Sequence, residues 1–176
     1  LDKTRQVLEA RITALEGTLM EEARLAHKVG PLTAALKEMA EKADILLVSG
    51  ASAIVDRQDV VPAAIEAAGG TVLHFGMPVD PGNLLLLGEL SGKPVLGLPG
   101  CARSPKLNGA DWVMQRLAAN LPVAREDITA MGVGGLLKEI SSRPQPREGG
   151  KVGSARPRIT ALILAAGRSS RMGLQN

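Results

Sequence analysis

Aromatic residues and cysteines are scarce in this chain. Among its 176 residues there is one Phe, one Trp, no Tyr and one Cys. Modules that bind nucleic acids by base stacking need several aromatic side chains, so we expect no nucleic-acid partner. A single cysteine excludes an internal disulfide and also a zinc site built from several cysteines.

Long apolar runs are absent too. They fall well short of the ~20 residues that a membrane-spanning helix needs. Residues 1–30 show a charged helical pattern, which is unlike a secretory signal. The sequence therefore predicts a cytoplasmic protein without a membrane partner.

The positive net charge of +3 is unevenly distributed. Residues 1–142 hold 14 Lys or Arg and 17 Asp or Glu, for a net charge of −3, whereas residues 143–176 hold 7 Lys or Arg and one Glu, for a net charge of +6. A basic protein can attract nucleic acids or membranes. Here the basic excess lies in the tail, so it does not indicate such a partner for the body of the chain.

Apolar runs alternate with helical patterns along the body. Short buried strands are predicted at 44–48, 71–75, 84–90 and 94–98, and a weaker one at 18–26. Helices are predicted between them, at 32–43, 58–68 and 105–121. This alternation indicates an α/β fold with a mostly parallel sheet and one antiparallel hairpin through residues 91–92.

The C-terminal region indicates a second domain. Residues 142–158 are rich in Pro, Gly and basic residues, as linkers are. Residues 159–166 form an apolar run that is predicted to be the first strand of another domain. We therefore divide the chain into a domain at 1–141, a linker at 142–158 and the start of a second domain at 159–176, and we expect the chain to be a fragment of a longer protein.

Three polar, Gly-rich loops follow predicted strands. They are loop 1 (residues 49–56), loop 2 (residues 76–83) and loop 3 (residues 99–105). In parallel sheets, ligands bind at the carboxyl ends of the strands. We expect the three loops to converge on one edge and form a ligand site.

Loop 1 combines small residues with carboxylates. Its backbone amides and hydroxyls suit an anion such as phosphate. Asp56 in this loop and Asp59 just after it are candidate catalytic residues that would hold Mg²⁺ or a polar ring. The alternative is a tight strand-to-helix turn in which Asp59 complements the helix dipole. The small residues of this prediction are Ser49, Gly50, Ala51 and Ser52.

Loop 2 is a dense turn in which Asp80 and Asn83 flank Pro81-Gly82. Both polar side chains are candidates to contact one ligand. The alternative is a hairpin turn in which Asp80 bonds to its own backbone.

Loop 3 precedes a predicted helix, with Ser104 as its N-cap. Arg103 and Lys106 add positive charge where anions are already favoured, which points to a bound phosphate or carboxylate. The alternative is a solvated Arg103 paired with an acid. A helix N-terminus would lower the pKa of Cys101, although a packed, unreactive thiol is the favoured interpretation. The candidate binding residues here are Pro99, Gly100, Cys101, Arg103 and Ser104.

A further phosphate-loop candidate follows the last apolar run. Its Gly- and Arg-rich sequence suits a nucleotide triphosphate. The segment LILAAGRSSRMG (162–173) resembles the signature of sugar-type nucleotidyltransferases, most closely molybdopterin cytidylyltransferase. The resemblance implies that the nucleotide contacts are Leu164, Ala165, Ala166, Gly167, Ser169, Arg171, Met172 and Gly173. The family's Lys and metal-binding Asp would lie beyond residue 176, so we expect no nucleotidyl transfer by this chain alone.

The body of the chain resembles the molybdopterin-binding domain of MogA- and MoeA-type proteins. Three segments carry the resemblance in the family's order: DILLVSGASAIVDRQDV (44–60), VDPGNLLLLGEL (79–90) and KPVLGLPGCARSP (93–105). It implies a three-layer α/β/α fold, molybdopterin or the molybdenum cofactor as ligand, Mg²⁺ with a nucleotide as further ligands, and a homo-oligomer.

The chain departs from that family at charged positions. Asp80 and Asn83 stand where the family has Lys, and Cys101-Ala102 replaces Asn-Pro. Arg103 and Lys106 then supply the positive charge. Three hypotheses follow: an enzyme domain of molybdenum cofactor biosynthesis within a bifunctional protein, a non-catalytic module that presents the pterin to a nucleotidyltransferase, and a structural or interaction domain.

Overall fold

The structure, a computed structural model, describes residues 2–51, 53–132, 134–135 and 157–165. Its helices are α1 (Asp2–Ala14), α2 (Val29–Ala40), α3 (Val60–Ala67), α4 (Gly109–Ala118) and α5 (Arg125–Thr129), with a 3₁₀ helix at Gly100–Arg103. Its strands are β1 (Thr18–Ala26), β2 (Ile45–Ser49), β3 (Thr71–Phe75), β4 (Val79–Asp80), β5 (Leu86–Leu90), β6 (Lys93–Leu98), β7 (Gly134–Gly135) and β8 (Arg158–Ala165). In these residues, no helix combines the length and the apolar character needed to cross a bilayer.

Six strands form one sheet in the order β1-β8-β2-β6-β5-β3. Pairs β1–β8, β8–β2 and β2–β6 are parallel, whereas β5 runs antiparallel to both β3 and β6. Strands β4 and β7 form a separate two-stranded parallel pair. The predicted α/β fold with a mostly parallel sheet is confirmed.

The hydrophobic core lies in two layers, one on each side of the sheet. Successive residues of a strand point to opposite faces, and β2 shows this directly. Leu47 packs with Leu8 and Ile12 of α1 and with Val113 of α4. Its neighbour Leu46 packs in the other cluster, with side chains of α2 and α3. All five residues of β2 are buried, as expected of a strand covered on both faces. The arrangement is the three-layer α/β/α sandwich that the resemblance implied.

The antiparallel hairpin is confirmed, with β5 and β6 joined by a two-residue turn. Ser91 and Gly92 have φ angles of 53° and 72°, as in the tight turns that match the twist of two-stranded ribbons. The weak strand prediction at 18–26 is also confirmed as β1.

Strand β8 lies in the middle of the parallel part of the sheet, which differs from its prediction. Its apolar segment was assigned to the start of a second domain, but in the structure it lies inside the first domain's sheet, between β1 and β2. Ala161 pairs with Glu22 of β1 and with Leu47 of β2. An eight-residue apolar strand satisfies its backbone hydrogen bonds there on both sides. The division of the whole protein at 142–158 stays a prediction.

Candidate functional site

The three predicted loops leave the same edge of the sheet. Ser49 of β2 pairs with Leu98 of β6, so loops 1 and 3 begin side by side. Phe75 of β3 pairs with Leu86, which in turn pairs with Gly97, so loop 2 also begins at this edge. We call it the carboxyl edge. The predicted convergence is confirmed, whereas ligand binding at these loops stays a prediction.

Arg103 connects loop 3 to loop 1. Its guanidinium Nη2 donates a hydrogen bond to the Gly50 carbonyl. This contact differs from the alternative in which Arg103 pairs with an acid. A guanidinium carries five N–H donors, so one bond to Gly50 leaves capacity for an anion. A positive charge therefore sits where the two loops meet.

The carboxylates of loop 1 are engaged with the backbone. Oδ2 of Asp59 accepts hydrogen bonds from the amides of Val55 (2.7 Å) and Asp56 (3.0 Å). Oδ1 of Asp56 accepts from the Gln58 amide at 2.6 Å. Asp59 is also the residue from which α3 begins. The contacts match the alternative of a tight strand-to-helix turn, and the catalytic role of these two residues stays a prediction.

The remaining loop 1 residues differ in their surroundings. Ser49 is buried and Ala51 is half-buried. Beneath the loop, Ile54 fills the space above Gly97: a Cβ on Gly97 would lie 2.8 Å from Ile54 Cδ1. Gly97 thus allows loop 1 to pack closely on β6. Ser52 lies outside the described residues.

Loop 2 packs against the start of α4. The Gly109 amide donates to the Pro81 carbonyl at 2.8 Å. Gly82 has a φ of +133°, and a Cβ there would lie 2.6 Å from the Gly109 nitrogen. The Asp80-Pro81 peptide is cis. Asp80 and Asn83 are exposed beside this contact, so both side chains are accessible at the carboxyl edge.

The local structure of loop 3 differs from its prediction. Gly100–Arg103 form a 3₁₀ helix, and α4 begins at Gly109 rather than at residue 105. Its N-cap is therefore Asn108 and not Ser104. Oδ1 of Asn108 accepts from the Ala110 amide at 3.0 Å, and the Asn108 amide donates to Oδ2 of Asp111 at 2.8 Å. Asn108 and Asp111 have the three-residue spacing that is typical of a capping box.

Cys101 is a half-buried thiol in the 3₁₀ helix of loop 3. Burial raises its pKa above the usual range, and the nearby negative charge of Asp80 raises it further. A raised pKa lowers the thiolate fraction at neutral pH and so the reactivity of the thiol. The raised pKa fits the favoured interpretation of an unreactive thiol, and ligand contact by Cys101 stays a prediction.

Other ionisable groups do not form a metal centre in the part of the chain that the structure covers. No three His, Cys, Asp or Glu side chains there are grouped for a metal ion. His27 directly follows β1 at the carboxyl edge. His74 lies within β3, and burial lowers its pKa.

The predicted nucleotide loop is only partly described. Leu164 and Ala165 belong to β8 and lie at the end that pairs with Leu25 and Ala26 of β1. The other predicted contacts, namely Ala166, Gly167, Ser169, Arg171, Met172 and Gly173, lie outside the described residues.

A cavity of about 690 Å³ opens at the opposite edge of the sheet. It is lined by the starts of β2 and β6, the end of β5 and the end of α4. Asp44 in its wall is already paired with Arg158 at 2.9 Å. The concentration of glycines in the three loops, with the guanidinium of Arg103 and the exposed carboxylate of Asp80, favours the carboxyl edge as the functional site.

Comparison with known proteins identifies the family. Residues 1–119 match the family model described as a probable molybdopterin binding domain. Neither the curated proteins nor the solved structures compared with the chain include a match. The family's role is in molybdenum cofactor biosynthesis, with a pterin as the small-molecule ligand. Because the match covers well over half of the chain, this chain belongs to the molybdopterin-binding domain family.

Proposed function

We propose that the carboxyl edge binds molybdopterin through loops 1, 2 and 3. The observation that carries the proposal is the bond from Arg103 to the Gly50 carbonyl, which holds a cation between loops 1 and 3. Positive charge beside loop amides is the arrangement that binds a phosphate group. The phosphate of molybdopterin would lie at Arg103 and the amides of residues 50–52 and 100–104.

The donor set also suits the pterin. Its ring carries N–H donors and a carbonyl acceptor, which a carboxylate and a side-chain amide can satisfy. Asp80 and Asn83 offer those two groups on the exposed face of loop 2. The open space around Gly100, where a Cβ would meet nothing within 4 Å, leaves room for a ligand at loop 3.

We further propose that the domain binds the pterin without itself transferring a nucleotide to it. The carboxylates of Asp56 and Asp59 accept backbone hydrogen bonds, and this favours a structural use over metal binding. The second candidate is adenylyl transfer onto molybdopterin, in which a rearranged Asp56 or Asp59 would hold Mg²⁺. The resemblance to the MogA-type enzymes supports that candidate.

One titration separates these functions. The purified chain is titrated with molybdopterin, with and without Mg-ATP, and the products are assayed for AMP transfer. Binding without turnover is the expected result. Binding with AMP transfer would support the second candidate, and no binding at micromolar molybdopterin would overturn both.

The fusion to a nucleotidyltransferase is a separate proposal, supported by the signature at 162–173. A pterin-binding domain beside a cytidylyltransferase would deliver the cofactor to the enzyme that attaches its nucleotide. A protein that carries both the pterin-binding domain and a complete nucleotidyltransferase domain should then transfer a nucleotide to the bound cofactor, which an assay with each nucleoside triphosphate would measure. Size-exclusion chromatography with light scattering would test the homo-oligomer that the resemblance implies.

A further inference from the structure

Arg11 gathers four groups around one guanidinium. It lies in the last turn of α1, and its Nε is 2.5 Å from Oδ1 of Asp111. Nη1 donates to the Ala102 carbonyl at 2.9 Å. Nη2 donates to the carbonyls of Ser104 at 2.7 Å and Lys106 at 3.0 Å. One side chain of α1 thus holds three backbone positions of loop 3 and its continuation.

The contacts fasten the residues on both sides of Arg103. Ala102 and Ser104, which flank Arg103, are both held by Arg11. Arg103 in turn donates to Gly50 of loop 1. The position of its guanidinium between loops 1 and 3 therefore depends on a backbone that Arg11 holds in place.

The same network reaches loop 2 through Asp111. While Oδ1 of Asp111 binds Arg11, Oδ2 accepts from the Asn108 amide at 2.8 Å. The next residue, Gly109, donates its amide to Pro81 of loop 2 at 2.8 Å. A connected series of hydrogen bonds thus runs from α1 to loops 2 and 3.

Both charged side chains of this network are largely buried. The side chains of Arg11 and Asp111 are only 11% and 10% exposed. A charge held in such surroundings must keep its partners, because an unpaired one is poorly solvated. The planar fork of arginine can serve several acceptors at fixed angles, which the single ammonium of lysine cannot.

We propose that Arg11 is the positioning residue of the ligand site: its guanidinium fixes the backbone of loop 3 so that Arg103 and the loop amides meet the ligand. This inference rests on the proposed function. It adds a residue outside the three segments that resemble the family. Arg11 lies on α1, far from those segments in sequence, and sets the shape of the anion site.

Cys101 provides a probe that needs no ligand. It is the chain's single cysteine, lies in the 3₁₀ helix of loop 3 and is only partly exposed. Its rate of reaction with a disulfide reagent such as DTNB therefore reports how often loop 3 opens. Loosening the loop would also bring the raised pKa of the thiol back towards its ordinary value, which the pH profile of the rate would show.

The test compares Arg11→Lys and Arg11→Gln with Leu36→Ala. The lysine variant keeps a cation for Asp111 but loses the planar guanidinium that binds three carbonyls. It therefore separates the positioning of loop 3 from the ion pair. It also remains usable if the glutamine variant fails to fold. Leu36 is fully buried in α2, on the opposite face of the sheet, and its truncation supplies a destabilised control with an intact loop 3. Each variant is measured for unfolding by urea, for the Cys101 rate and for molybdopterin affinity.

In Arg11→Lys, we expect the rate at which Cys101 reacts with DTNB to rise, and the affinity for molybdopterin to fall, by roughly tenfold or more. We expect smaller changes in Leu36→Ala, even where that variant is equally or less stable. Equal Cys101 rates in Arg11→Lys and the control at matched stability would overturn the inference, even if the unaltered chain binds molybdopterin. A raised rate together with no binding by the unaltered chain would instead refute the proposed function and leave Arg11 as the residue that positions loop 3.

Discussion

Asp44 and Arg158 lie 114 positions apart and bind each other through both backbone and side chains. The Asp44 amide donates to the Arg158 carbonyl at 2.7 Å, and the Arg158 amide donates to Oδ2 of Asp44 at 2.9 Å. The guanidinium adds an ion pair at 2.9 Å. This reciprocal contact fixes the first residue of β8 beside the start of β2, and it sets the register of a strand that comes from the far end of the chain.

The Asp44 contact predicts a pH-dependent stability. Hydrogen bonding by Arg158 lowers the pKa of Asp44 in the folded chain. Its contribution is therefore fully present above the unfolded-state pKa of about 3.9 and is lost as the pH falls through the lower folded-state value. We expect Asp44→Asn to lower the free energy of unfolding at pH 7 by at most about 1 kcal/mol, because the pair is half-exposed. Urea titrations should show that the difference between variant and unaltered chain shrinks at strongly acidic pH.

Glu38→Gln is the matched control for Asp44→Asn. Lys42 also lowers the pKa of Glu38, but this ion pair joins a residue of α2 to one just beyond the end of that helix, rather than joining β2 to β8. Amide hydrogen exchange of β8 should accelerate in Asp44→Asn and stay unchanged in Glu38→Gln. Equal exchange of β8 in the two variants would contradict the role of Asp44.

Thr160 tests whether β8 is buried in the sheet. Its side chain is fully buried, and its hydroxyl has no hydrogen-bond partner among the residues that the structure describes. Replacing a buried, unpartnered hydroxyl with a methyl group removes a desolvation penalty, so Thr160→Val should raise the free energy of unfolding by about 1 kcal/mol. The exposed Thr71 on edge strand β3 supplies the control, Thr71→Val, with an expected change within about 0.5 kcal/mol. A neutral Thr160→Val would contradict the buried and unpartnered hydroxyl at this position.

Gly82 tests the contact between loop 2 and α4. Alanine there would combine a positive φ with a Cβ 2.6 Å from the Gly109 nitrogen. We expect Gly82→Ala to destabilise the chain by about 2–4 kcal/mol, from backbone strain and overpacking together. It should also weaken molybdopterin binding, because the carbonyl of Pro81 would move away from α4.

Gly92→Ala separates the two causes. Gly92 also has a positive φ, but a Cβ there would meet nothing within 4 Å. Its expected cost is the backbone strain alone, about 1–2 kcal/mol. Thermal unfolding of the two variants should show the larger loss in Gly82→Ala, and equal losses would mean that loop 2 does not pack tightly on Gly109.

Arg103 tests the anion site. Arg103→Ala should weaken molybdopterin binding by about 1.5–3 kcal/mol, which is roughly ten- to a hundredfold, because it removes a charged hydrogen bond to phosphate. Lys37→Ala, on the exposed side of α2, removes the same charge elsewhere and should leave the affinity unchanged. Titration calorimetry in both variants would measure the difference, and an unchanged affinity in Arg103→Ala would show that the phosphate binds elsewhere.

Local patterns in the sequence were sufficient for most of the fold. The run Ile45–Ser49 is apolar throughout, which is typical of a strand buried on both faces, and Ser91-Gly92 marks the hairpin. The same patterns placed loops 1, 2 and 3 at one edge, because parallel strands that alternate with helices share their carboxyl ends. The start of α4 was missed by four residues because Ser104 and Pro105 resemble a helix start, while the capping box of Asn108 and Asp111 forms the actual one.

The sequence by itself determined which residues form strands, which loops follow them and where charge and glycine concentrate, because these depend on periodicity and turn chemistry within short windows. Only the tertiary structure decided that β8 lies between β1 and β2, since an apolar strand carries no local mark of the neighbour with which it will pair. It also decided that Arg11 meets Asp111, two carbonyls of loop 3 and the Lys106 carbonyl just after it. That meeting depends on packing α1 and α4 against the same face of the sheet, and no spacing along the chain encodes it.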